Sequence, residues 1–195
     1  MLSRELRSLT TPMIRIMRLI WGAFCAAAVF YCVLAYVMTQ NRPETTTVTQ
    51  PDLLLPISAV AVLCLAASFF VPRFLLSDAR VRGVLTSGVL PPGGDGFVKP
   101  APAIPGADKL RTLPEEERRL PHLLVLYQSS MIVSLALVEA VSIFGLILVI
   151  MGHSWPTILP FALATILFAI PHLPRPEAML EAGAKMAHHT RQGRP

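Results

Sequence analysis

Four long stretches of this chain carry almost no charge, and that pattern limits its possible folds more than any other feature. Leu19 to Met38 (LIWGAFCAAAVFYCVLAYVM) runs 20 residues without a charged side chain. At about 1.5 Å per residue, such a helix matches the hydrocarbon thickness of a bilayer. Leu53 to Val71, Leu123 to Met151 and Thr157 to Leu173 repeat the pattern, the last of them short, the third broken by one acid, Glu139. In lipid every backbone N–H and C=O must be paired within the protein, so open segments of this kind can cross only as helices. The expectation is an all-α fold, a four-helix transmembrane bundle forming a single transmembrane domain, with spans at about 14–39, 53–76, 121–151 and 156–173. Composition agrees: 53% of residues are apolar and 15% charged, well below the roughly 25% charged residues of soluble domains.

The basic residues orient the bundle. Arg4, Arg7, Arg15 and Arg18 precede the first span, eight Lys or Arg residues lie between Arg73 and Arg119, and four follow the fourth span. That is 16 of 17 on one side, the exception being Arg42 in a Thr-rich loop. By the positive-inside rule both termini and the long connection between spans two and three are cytoplasmic. Trp21 and Tyr127 then fall near the inner interface and Tyr36 and Trp155 near the outer one, where amphipathic rings prefer to sit. The first span is read as a retained helix, because its apolar run is too long for a signal peptide and LAYVMTQ is a poor cleavage site. The excess of Arg over Lys, with abundant Ala and Pro, points to a bacterial source and hence to the cell inner membrane.

Between the second and third spans, residues 83–120 contain PPGGDG, KPAPAIPG and LPEEERRLP. So much Pro and Gly with so little apolar surface predicts a flexible cytoplasmic loop. Thr112 with Glu115 fits a capping box for a short helix before the third span, with Pro121 kinking or interrupting the join. Residues 174–195 form a cytoplasmic tail. Asp52 is a plausible cap for the second span.

Little of this supports catalysis. No phosphate-binding glycine loop, Walker motif or nucleophile elbow is present, and no His, Asp or Ser constellation gathers at one interface. Cys25, Cys32 and Cys64 lie inside apolar runs as small fillers, in odd number and without His or carboxylate partners. His122, His153 and His172 sit at span ends, and His188 with His189 in the tail lacks the i, i+4 spacing of a preformed metal site. The expectation is therefore no metal, no cofactor and no enzymatic activity. The net charge of +5 borders the apolar segments and marks orientation in a membrane, so nucleic acid is excluded as a partner.

Glu139 is the one residue that asks for a chemical explanation. A carboxylate in the middle of a span costs about 3 kcal/mol on insertion scales, so the group is protonated, paired or facing water. At about 100° per residue, Gln128, Leu135 and Ser142 lie within about 60° of Glu139 on the helix, which gives a narrow polar stripe that should face other helices. Glu139, Gln128 and Ser142 are thus the candidate ion-binding residues. Three readings stay open: a neutral, hydrogen-bonded acid that fixes helix packing, a reversible proton or cation site, and an ion pair with a cation that no Lys or Arg at mid-depth on another span supplies.

Two resemblances follow from these residues. ALVEAVSIFGLILVI, with Glu139 between small residues and a glycine downstream, resembles the carboxylate-bearing helix of the rotary ATP synthase c subunit, which implies a proton- or sodium-binding acid at Glu139. The match covers some 15 to 20 residues; the second span has alanines but no glycine repeat, and the intervening loop is far longer than that hairpin's turn. The chain as a whole, with SFFVPRFLL, ALVEAVSIFGLILVIMG and PHLPRPE, is similar to a group of uncharacterised small bacterial four-span membrane proteins, a resemblance that implies location without activity. The functional expectation is a non-enzymatic structural or accessory partner of other membrane components, in contact with membrane lipid and with a membrane-protein partner or a second copy. Small-xxx-small pairs such as Gly22 with Ala26, Ser130 with Ser134 and Ala136 with Ala140 suit such packing. The alternative is proton or cation translocation through Glu139.

Overall fold

A computed structural model describes residues 4–41, 53–77, 79–81, 83, 120–175 and 180–181. Among these the structure is helical, without strands, and contains four helices long and apolar enough to cross a membrane. They are α1 (Arg4–Gln40), α2 (Leu54–Leu75), α3 (Leu120–Ile150) and α4 (Ile158–Ala169), the last extended by 3₁₀ turns at Trp155–Thr157 and Ile170–His172. The loop expected at 83–120 and the tail at 174–195 lie almost wholly outside the described residues. So do Asp52, the Thr112–Glu115 capping box, and His188 with His189.

Each apolar run lies on a helix, and the departures occur at the ends. α1 begins some ten residues before the expected span and carries Pro12 inside it. Here the polar flank continues the helix instead of capping it. Pro121 occupies the second position of α3. At that position the missing N–H leaves no bond within α3 unmade; the join that Pro121 was expected to kink or interrupt lies before Leu120, outside the described residues. α2 runs past Pro72 to Leu75, and the Leu76 N–H donates to the Pro72 carbonyl at 2.8 Å.

The chain divides into two compact units. One takes Met1–Met17, Pro72–Ser130 and Pro174–Pro195; the other takes Arg18–Val71 and Met131–Leu173. In the first, Leu120, Leu123, Leu124 and Met17 are buried, the Arg80 guanidinium lies 4.6 Å from the Phe74 ring centroid, and the Arg175 backbone N–H donates to the Tyr127 hydroxyl at 3.2 Å.

The second unit holds the apolar spans, and its contacts give their directions. The Trp21 Nε1–H near the start of α1 donates to the Ala169 carbonyl at the end of α4 (2.9 Å), while Tyr36 near the end of α1 stacks edge-to-face on Trp155 before α4. Those two helices therefore run antiparallel. Tyr31 meets Glu139, and Ala35 shares a buried cluster with Val149 and Ile158, so α1 and α3 run in parallel. Phe69 near the end of α2 packs on Phe168 and His172 near the end of α4, which makes α2 and α4 parallel. The result is an up-down-up-down bundle. The Ala169 carbonyl is available to Trp21 because the Leu173 N–H, its expected helical partner, donates to Ile170 instead at 3.0 Å.

α3 is its most buried span: half of its apolar window (50%) is covered by the rest of the chain, against 11% for α1 and for α2. Small residues let neighbours approach it. A Cβ on Gly145 would lie 2.8 Å from the Phe161 Cβ and 3.1 Å from the Ile158 Cγ1, so α4 packs directly against the glycine. α3 ends in a Schellman turn. Gly152 takes a φ of 113°, its N–H donates to Val149 at 3.1 Å, and the His153 N–H donates to Leu148 at 3.1 Å. These bonds satisfy carbonyls that a helix end otherwise leaves open, and the positive φ favours glycine.

Candidate functional site

An apolar helix offers chemistry only where it carries polar side chains, and in this unit α3 carries three, the buried Ser134 and, one turn apart, Glu139 and Ser142. Glu139 accepts a hydrogen bond at Oε1 from the Tyr31 hydroxyl, 2.9 Å away. Tyr31 lies on the inward face of α1 between the fully buried Ala28 and Ala35, one turn away on either side. Because both alanines are small, α1 comes close enough for the phenol to reach α3. Both Tyr31 and Glu139 are half-buried. Among the described residues Tyr31 is the hydrogen-bond partner of Glu139, and that bond engages Oε1 alone.

Ser142, one turn further along α3, makes a different contact. Its Oγ donates to Thr165 Oγ1 at 2.8 Å, and Thr165 Oγ1 in turn donates to the Val138 carbonyl at 3.0 Å. Ser142 and Thr165 are both fully buried. Since Val138 is four residues before Ser142, the three groups close a small polar ring joining α3 to α4. Glu139 and Ser142 therefore serve different helices, although they are neighbours on one face of α3.

Gln128 stands on α3 in the first unit, half-buried, and neither of these contacts includes it. Of the three expected residues, then, Glu139 and Ser142 take part in interhelical hydrogen bonds, each with its own partner. Sequence reasoning did not assign those partners. Tyr31 is the one tyrosine placed mid-run in an apolar span, and Thr165 is a hydroxyl residue in the middle of the fourth run. Polar side chains at matching depth were the available signal.

A groove of about 420 Å³ runs between α2 and α4, lined by Ser58, Ala61, Leu65, Val141, Phe161 and Ala164 among others. Its lining carries the hydroxyl residues Ser58 and Thr157 but no acid, histidine or cysteine. The described residues include no group of three or more His, Cys, Asp or Glu side chains placed to hold a metal ion. Cys25, Cys32 and Cys64 are free thiols.

No family model, no curated protein and no solved structure matches this chain. The resemblance of the Glu139 segment to the c-subunit helix therefore rests on its residues alone.

Proposed function

We propose that this chain is a multi-pass protein of the cell inner membrane, with both termini cytoplasmic, that acts as a non-enzymatic structural or accessory partner of other membrane components. Several features support the membrane reading. The four helices are long and apolar enough to cross, and outward-facing side chains such as Leu19, Leu55 and Phe74 are 72%, 78% and 68% exposed. Apolar surface on that scale suits lipid or protein contact and not water. The 16 of 17 basic residues on one side carry the orientation.

The single observation that favours a packing role is the Tyr31–Glu139 hydrogen bond. It spends the one mid-span acid on joining two helices, as polar residues in membranes commonly do. Cysteines placed at Thr47 and Ser154 should react with an impermeant maleimide in intact cells, and cysteines at Asp95 and Gln192 only after the membrane is opened. Labelling of Asp95→Cys in intact cells would overturn the orientation.

A second reading is reversible proton or cation binding at Glu139. It is favoured by the half-buried position of the carboxyl and by the oxygen left outside the Tyr31 bond. Proteoliposomes loaded with a pH-sensitive dye separate the two. Under the packing reading, an imposed potential drives no more proton entry than in empty vesicles. A flux that Glu139→Gln abolishes, while the protein still folds, would replace the packing reading with the translocation one, because an amide cannot exchange a charge.

A further inference from the structure

The exposed face of α3 begins beside Glu139. Val133, Ala136, Ala140, Ile143, Ile147 and Ile150 are exposed or half-exposed, and they recur at alternating intervals of three and four residues. That spacing defines one stripe along the helix, of the kind that packs against another helix. Ala136 and Ile143, three before and four after Glu139, are its direct neighbours on the helix surface. The carboxyl therefore stands at the edge of an outward apolar stripe, holding Tyr31 with Oε1 while Oε2 has no hydrogen-bond partner among the described residues.

A polar oxygen at that depth needs a donor, because lipid tails supply none. The occupant of the stripe must then be apolar along most of its length and carry a donor at the depth of Glu139. A second copy of this chain meets both conditions without any further residue. Inserted in the same direction and related by a twofold axis along the membrane normal, it presents the same stripe and its own Glu139 at the same depth. An isologous interface requires a self-complementary group. A protonated carboxyl is one, with one O–H donor and remaining acceptor capacity. We infer that the α3 stripe from Val133 to Ile150 is a homodimer interface, in which the two Glu139 carboxyls hydrogen-bond across the axis while each keeps its Tyr31. This inference rests on the packing reading of Glu139 and names the partner it serves.

The test uses the full chain in native membranes, with Cys25, Cys32 and Cys64 replaced by alanine. Ala136→Cys and Ala140→Cys should each give an oxidised dimer of two copies. Leu163→Cys, 58% exposed on α4 and near the depth of Ser142 through the Thr165 contact, should give none. Dimer yield at Leu163 equal to that at Ala136 and Ala140, no cross-link at either alanine, or adducts there only with a different protein would each overturn the proposal.

Energy transfer between labelled copies, followed as the protein is diluted in lipid vesicles, gives the strength. Ala136→Phe adds bulk where the chain itself makes no enclosing contact, and should weaken association at least about tenfold with the thermal unfolding of the monomer unchanged. Glu139→Leu should weaken it by about three- to thirtyfold, and Glu139→Gln by less than about twofold, since the amide keeps a donor and an acceptor. If Ala136→Phe and Glu139→Leu both leave association as it was, there is no such interface. A Glu139→Leu chain that loses stability but not association would remove the dimer and leave the packing reading intact. Lost association with unchanged stability would do the reverse.

Discussion

Ser142 meets Thr165 with both side chains fully buried and both hydroxyl protons placed, whereas Glu139 meets Tyr31 in a half-buried contact that leaves one carboxyl oxygen outside the bond. Both contacts join helices at similar depth, and both use groups that lipid cannot solvate. The first is closed: donors and acceptors are matched inside the chain, and Gly145 nearby lets α4 lie flush against α3. The second is open on one side. One helical turn thus separates a contact that the chain completes by itself from one that it leaves open on one side.

The comparison breaks most readily at Gly145. Gly145→Leu should cost about 3 kcal/mol, because the added atoms enter space that Phe161 and Ile158 already occupy. Reversible unfolding in mixed micelles measures it, and a cost near zero would mean that α4 does not sit against this glycine. Thr165→Val should cost about 1 kcal/mol in the same assay, since a residue of similar shape removes the donor to Val138 and the acceptor for Ser142. A double-mutant cycle with Ser142→Ala should show the two losses to be non-additive, as expected for one shared bond. Tyr31→Phe should cost about 0.5 kcal/mol, near the average for interhelical hydrogen bonds in membranes. Were Tyr31→Phe to cost more than Thr165→Val, the distinction between open and closed contacts would reverse. Glu139→Gln should have the smallest effect on unfolding, within about 0.5 kcal/mol, because the amide can still accept from Tyr31.

The helices were legible because a bilayer-length apolar run leaves the backbone one solution. Their ends were less so. α1 continues through Ser8, Thr10 and Pro12, residues whose local preferences argue for a stop, because hydropathy marks the apolar span and not the point where its helix begins. For the site, hydropathy singled out Glu139, and helical periodicity placed Ser142 near it. Periodicity describes one helix, however, and says nothing of which neighbour each side chain meets. Tyr31 and Thr165 come from α1 and α4, so their pairing with Glu139 and Ser142 depends on how the helices pack. Gln128 shares the stripe by angle but lies three turns away along the axis, which an angular projection hides.

The Schellman turn at Gly152 has a consequence for how the protein is made. α4 belongs to the least apolar of the four candidate spans and α3 to the most apolar, and only the residues 151–154 separate α3 from the 3₁₀ turn that leads into α4. A segment is admitted to a bilayer partly on its own hydrophobicity, and a weak one gains from a strong neighbour that it can enter with. With the turn this short and its carbonyls already satisfied, α3 and α4 can insert as one hairpin, the Ser142–Thr165 bond sparing both hydroxyls exposure to lipid. Lengthening that turn by a dozen polar residues would leave the final contacts possible yet oblige α4 to insert by itself, so the loss would fall on yield during synthesis, with the stability of molecules that do assemble largely preserved.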